Sequence, residues 1–282
     1  MKKNYLMLIG SMLIFGTIGI FRRYIPLSSA ALSFVRGILG ASFLLLIRRG
    51  IRLDFGKKKV ALLVLTGAAI GVNWIFLFEA YNYTTVATAT LCYYMQPTIV
   101  ILLSPLILKE QLTLKKILCA AAAVFGMVLV SGITEEGGAG ASDIKGIVFG
   151  LMAALFYSAV IFLNKKNPVD DSYGKTFIQL GSAAIVLIPY LALTGNFMMP
   201  GKTLNLTAVI MIVIVGIVHT GIAYALYFKS MENLKSQTVA VLSYIDPVSA
   251  LILSAIFLSE PMSIRGIIGA VLILGAALIG EL

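Results

Sequence analysis

Apolar runs of roughly twenty residues, the length that crosses a bilayer's hydrocarbon core as a helix, follow one another along almost the whole of this 282-residue chain. Ten candidate spans emerge, at about 4–21, 29–47, 60–80, 85–107, 116–132, 146–163, 175–193, 207–228, 236–257 and 265–281. The expected fold class is therefore an all-α membrane protein. Apolar residues make up 60% of the chain and charged ones 12%, about half the usual charged share, which leaves no room for a soluble domain. Lys2 and Lys3 give the first run the look of a secretory leader. Arg22 and Arg23 follow it directly and nine spans come after, so it reads as a retained first span. Cys92 and Cys119 are expected near opposite membrane faces, too far apart for a disulfide.

The net charge of +10 would suit a nucleic-acid partner, but the charges cluster in short loops between spans. With the N-terminus inside, sixteen Lys and Arg fall on inner segments, including Arg48, Arg49, Arg52 and Lys57–Lys59. Five fall outside: Arg22, Arg23, Lys145, Lys202 and Arg265. That is a positive-inside pattern. It predicts a multi-pass protein of the cytoplasmic membrane with both termini in the cytoplasm, in contact with lipid rather than nucleic acid.

A repeat organises the chain. The stretch from Tyr94 through Pro97, Leu103, Ser104, Leu108 and Glu110 returns 150 residues later at Tyr244, Pro247, Leu253, Ser254, Leu258 and Glu260. The glycine-rich, acidic segment 133–145 reads as an outer linker between two halves, 1–132 and 146–282, of five spans each. Five is odd, so the second half is expected to enter the membrane inverted. Inverted repeats place a solute site near the midplane between the copies.

Polar groups inside the spans are the candidate site. Pro97 and Pro247 deprive the carbonyl four residues back of its donor, which predicts paired helix breaks that serve as hinges. Gln96 and Asp246 stand beside them. An ionised carboxylate at mid-span costs about 2.5–3.5 kcal/mol on insertion scales. Asp246 is thus either a ligand or proton-coupling contact, or a carboxylate capping amides freed at the break. Glu79 lies toward the outer end of the third span and Arg36 on the second. These four (Arg36, Glu79, Pro97 and Pro247) are the gating or coupling candidates, with Arg36 either pairing with Glu79 or binding an anionic solute. The substrate-binding candidates are Asn73, Trp74, Tyr93, Tyr94, Gln96, Tyr157, His219, Tyr224, Tyr244 and Asp246. Trp74, Tyr157, Tyr224 and Tyr244 lie too deep for an interfacial belt, and a cavity of tyrosines suits an amphipathic or aromatic solute. His219 is the only histidine, which excludes a histidine-rich metal site. No phosphate loop, zinc spacing or nucleophile elbow occurs in a plausible context, so no metal or cofactor is expected. Glu110 and Glu260 precede Thr113 and Ser263, read as N-caps of the fifth and tenth spans, and both glutamates are expected to be structural.

The chain resembles the drug/metabolite transporter superfamily, in its ten-span EamA-type branch. The resemblance is carried by Phe78-Glu79-Ala80, the Tyr93–Pro97 stretch, Leu108–Thr113, Tyr244-Ile245-Asp246-Pro247 with Leu258-Ser259-Glu260, and Arg36. It implies two inverted five-helix repeats and a secondary transporter that exports a metabolite, with amino acids or related compounds as candidates. Protons are the candidate coupling ion, through Asp246, Glu79 or His219. The alternatives are a channel, which predicts a continuous polar stripe, and a membrane-embedded enzyme acting on a lipid-soluble substrate.

Overall fold

The computed structural model describes residues 2–47, 55–109, 113–130, 140–167, 169, 171–231, 234, 242–260 and 262–281. The loop arginines 48, 49 and 52, Glu110 and most of the linker lie outside them. The described chain is mainly helical, and its connecting segments hold an isolated antiparallel bridge between Leu27 and Met198. In order it forms α1 (Lys2–Gly16), α2 (Ile18–Arg23), α3 (Ser29–Ile47), α4 (Lys57–Tyr83), α5 (Val86–Tyr93), α6 (Gln96–Ile107) and α7 (Leu114–Val130). It continues through α8 (Ala141–Lys166), α9 (Ser172–Ile185), α10 (Ile188–Thr194), α11 (Leu206–Ile214), a π-helical segment (Val215–Ile222), α12 (Ala223–Met231), α13 (Ile245–Phe257) and α14 (Ile264–Glu281).

Among the described residues, seven helical stretches are long and apolar enough to cross a membrane: Lys2–Arg23, Ser29–Ile47, Lys57–Tyr83, Val86–Ile107, Ala141–Lys166, Tyr173–Thr194 and Leu206–Tyr227. Ile245–Phe257 and Ile264–Gly280 are apolar and shorter. Leu102, Leu106, Val271 and Ile256 are exposed around the outside of the bundle. That suits a lipid-facing surface, where lipid rather than water meets the apolar side chains.

The helix contacts recur in pairs along the chain. The α1–α2 stretch rests on α12 and α13, as α8 rests on α4 and on the α5–α6 pair. Helix α3 meets the π segment as α9 meets α4, while α3 meets α9, α5 meets α13, and α7 runs along α14. Small residues allow the close crossings. A Cβ on Gly71 would lie 2.7 Å from the Ala183 carbonyl oxygen, and one on Gly126 would lie 2.7 Å from that of Gly269. Gly67 and Gly71 therefore face a neighbouring helix rather than a solute.

The breaks fall slightly earlier than the prolines predict. Helix α5 ends at Tyr93, Tyr94 and Met95 form a turn, and α6 restarts at Gln96 with Pro97 in its first turn. Helix α13 begins at Ile245 in the same way, with Pro247 in its first turn and Tyr244 as N-cap. First-turn amides have no intrahelical partner, so proline costs least there. The Met95 amide bonds instead to the Cys92 carbonyl at 3.1 Å.

The eighth expected span holds a feature the sequence pattern does not reveal. Eight of its residues, Val215–Ile222, adopt π-helical bonding, which is rare and concentrates at functional positions. Thr220 Oγ1 donates to the Val215 carbonyl, five residues back, at 2.9 Å.

Candidate functional site

A cavity of about 430 Å³ opens where α1, α4, the α5–α6 turn, α8, α12 and α13 converge. Its wall includes ten of the expected residues: Arg36, Trp74, Tyr93, Tyr94, Gln96, Pro97, Tyr157, Tyr224, Tyr244 and Asp246. The aromatics form a connected cluster. The Tyr93 and Tyr157 ring centroids are 5.6 Å apart, those of Tyr93 and Tyr94 5.7 Å, and those of Tyr94 and Tyr244 6.5 Å. Phe15 meets Tyr224 edge-on at 5.3 Å.

The two breaks are joined by a hydrogen bond. The Tyr94 hydroxyl donates to Asp246 Oδ2 at 2.7 Å, linking one residue from each half across the cavity wall. No hydrogen bond from a backbone amide to the Asp246 carboxylate occurs among the described residues, so the amide-capping reading gains no support.

Four expected residues stand outside the wall. Asn73 is buried and its Nδ2 donates to the Ala153 carbonyl at 2.6 Å, fastening α4 to α8. His219 Nε2 lies 2.8 Å from Thr17 Oγ1 and its ring packs edge-on against Phe21 at 4.7 Å, so it bridges helices. Glu79 accepts from Asn82 Nδ2 at 3.4 Å and makes no pair with Arg36. Pro247 is buried outside the cavity wall.

Arg36 is 3% exposed. Its Nε donates to Thr220 Oγ1 at 3.1 Å, and the guanidinium carbon sits 4.1 Å from the Trp74 ring centroid and 5.4 Å from that of Phe78. The wall also holds residues outside the expected set, among them Met12, Phe15, Tyr81, Thr90, Tyr227 and Ser243. Tyr81 follows Trp74 by seven residues on one helix, a same-face spacing that was legible.

One end of the bundle is tied by Glu260. Its carboxylate pairs with Arg23 at the end of α2, and its Oε2 accepts the Val86 amide at the start of α5 at 2.8 Å. Ser263 Oγ accepts from the Gly266 amide at 3.1 Å and Thr113 Oγ1 from that of Lys116 at 3.3 Å, the expected N-cap geometry. The Arg23 side chain is 39% exposed, so water screens the ion pair. The charge-assisted amide bond therefore contributes more. Glu260→Ala is expected to cost about 1–2 kcal/mol, and Glu260→Gln, which keeps an acceptor, less than half of that. Thermal melting of the two variants and labelling of a cysteine placed at Thr90 read this out. Equal effects for both variants would shift the weight from the amide to the ion pair.

The comparisons with known proteins agree with this architecture. The EamA-like transporter family model matches residues 2–132 and again 144–280. An uncharacterized transporter of Bacillus subtilis, YxxF, is 31% identical over 93% of this chain and 84% of its own length. An uncharacterized transporter of Archaeoglobus fulgidus is 28% identical over 95% and 93%, and Protein PecM of Dickeya dadantii is 28% identical over 77% and 72%. A crystal structure shares the fold at a TM-score of 0.67 and 19% identity, over 99% of this chain and 96% of that one. With the family model matched twice along the chain, and a cavity lined by tyrosines, tryptophan, a buried arginine and a half-buried aspartate, the chain belongs to the EamA-like transporters of the drug/metabolite transporter superfamily.

Proposed function

We propose that this protein is a secondary transporter that exports a small metabolite across the cytoplasmic membrane by alternating access. In this reading its two five-span halves, 1–132 and 146–282, run in opposite directions through the membrane, are joined by the outer linker 133–145, and leave both termini in the cytoplasm. The two separate family matches and the paired helix contacts support the repeat. The observation that carries the mechanism is the Tyr94–Asp246 hydrogen bond, which couples the two helix breaks beside a cavity large enough for a small solute. Trp74, Tyr93, Tyr157, Tyr224 and Tyr244 enclose the solute, Gln96 and Asp246 offer it polar contacts, and Pro97 and Pro247 stiffen the starts of the helices that rock. Asp246 is the favoured coupling group, because His219 and Glu79 sit outside the wall. The tie at Glu260 supports a carrier over a channel, since it holds one end of the bundle together beside an open cavity.

Reconstituted vesicles test this. Uptake and efflux across a metabolite panel that includes amino acids are expected to saturate with concentration, and a pH gradient is expected to drive accumulation. Asp246→Asn should abolish the response to the gradient. Vesicles that move no member of the panel faster than protein-free ones, or a flux that never saturates, would remove the carrier reading. Gradient-driven flux in Asp246→Asn would remove proton coupling alone.

A further inference from the structure

We propose that Arg36 is the seat for a carboxylate group of the carried solute, so that the cavity selects monoanionic carboxylates with an apolar or aromatic body. This rests on the cavity being the solute path. A guanidinium keeps its charge at physiological pH, and a charge buried in a membrane span is costly unless paired. Yet no acidic side chain forms an ion pair with Arg36 among the described residues, although Asp246 shares its cavity wall. Glu260 is committed to Arg23 and the Val86 amide, Asp246 accepts from Tyr94, Glu79 from Asn82, and Asp143 from Thr84. The rings of Trp74 and Phe78 compensate one face of the cation, as cation–π contacts do. They leave the edge of the plane unsatisfied.

The π-helical segment sets which edge that is. Thr220 spends its hydroxyl proton on the Val215 carbonyl, so its oxygen is left to accept from Arg36 Nε. Helix packing fixes the threonine: a Cβ on Gly40 would lie 2.5 Å from Thr220 Cγ2. With Nε occupied, the two terminal nitrogens, which carry no hydrogen bond among the described residues, are free in the cavity wall for a planar, two-pronged acceptor. Among the described residues Arg36 is the only Lys or Arg in that wall, which matches one negative charge rather than a phosphate dianion. Thr220 is a positioning residue here.

The test uses purified full-length protein in lipid nanodiscs and four probes with one ring: phenylacetate, phenylacetamide, phenethylamine and phenyl phosphate. Calorimetry is expected to show phenylacetate binding roughly 10–100-fold tighter than the amide, the range for hydrogen bonds to a charged group. Phenyl phosphate should gain nothing over phenylacetate. Arg36→Met should bring the carboxylate-to-amide ratio close to one, Arg36→Lys should keep part of it, and Thr220→Val should lower it while Thr220→Ser restores it. Equal binding of acid and amide by the wild type, binding of neither, or a preserved ratio in folded Arg36→Met overturns the assignment. If Arg36→Met does not fold, the wild-type ratio and Arg36→Lys decide. Flux in vesicles is scored separately. An Arg36-dependent preference without flux keeps the seat and removes the carrier, and flux without that preference does the reverse.

Discussion

Gly269→Leu is expected to leave little folded protein in the membrane. Helices α7 and α14 cross at Gly126 and Gly269, and the contact is reciprocal. A Cβ on Gly126 would lie 2.7 Å from the Gly269 carbonyl oxygen, and one on Gly269 would lie 2.5 Å from that of Gly126. Neither obstacle is the tip of a flexible side chain, so the helices must separate along their length. Ile273 and Ala123, both buried at this seam, would lose their contacts as well. Overpacking costs about 1–3 kcal/mol where side chains can adjust. Here backbone meets backbone, and the loss should reach at least the top of that range. Gly275→Ala on the same helix is the control, because nothing lies within 4 Å of its added Cβ. It is expected to be neutral or stabilising by up to about 1 kcal/mol. Melting curves and the yield of monodisperse protein compare the two variants. A Gly269→Leu protein that melts with the wild type would show that this crossing is looser than described.

The second large effect belongs to the Tyr94–Asp246 bond. It is half-buried, short at 2.7 Å, and joins residues 152 positions apart. Tyr94→Phe deletes the donor and leaves a carboxylate oxygen without a partner, whereas Asp246→Ala strands the hydroxyl. Each should cost about 1–3 kcal/mol. Transport should fall roughly tenfold or more in each, because 1.4 kcal/mol in the balance of two conformations is tenfold. The double variant is expected to be barely worse than the poorer single one. A coupling energy of about 1–3 kcal/mol from that cycle would mark the bond as the link between the halves. Strictly additive losses would deny it that role.

The class of the molecule and most of the cavity were legible for one reason. A polar or proline residue inside an apolar run must be accounted for, and only a few such residues exist. Trp74, Tyr94, Gln96 and Asp246 drew notice that way and line the cavity. Asn73 and His219 drew notice the same way, and there the buried polar group has a partner on a neighbouring segment. Sequence gives the need for a partner and not its address. Met12 and Phe15 escaped notice for the opposite reason, since an apolar side chain facing a cavity looks the same as one facing lipid. The π-helical stretch was invisible because Val215–Ile222 has the composition of any membrane helix. It packs closely on α3: a Cβ on Gly216 would lie 2.4 Å from Leu39 Cδ1, and one on Gly221 2.5 Å from Phe43 Cδ1.

That stretch also has a bearing on direction. Lys57–Tyr83 is one unbroken α-helix, while Leu206–Met231, its counterpart in the packing, carries the extra bonding register at its centre. If the halves trade places during a cycle, the two end states are therefore not energetic twins. An idle molecule would rest with one mouth open more often than the other, and the bias would come from a dislocation in a single helix, before any gradient acts on it.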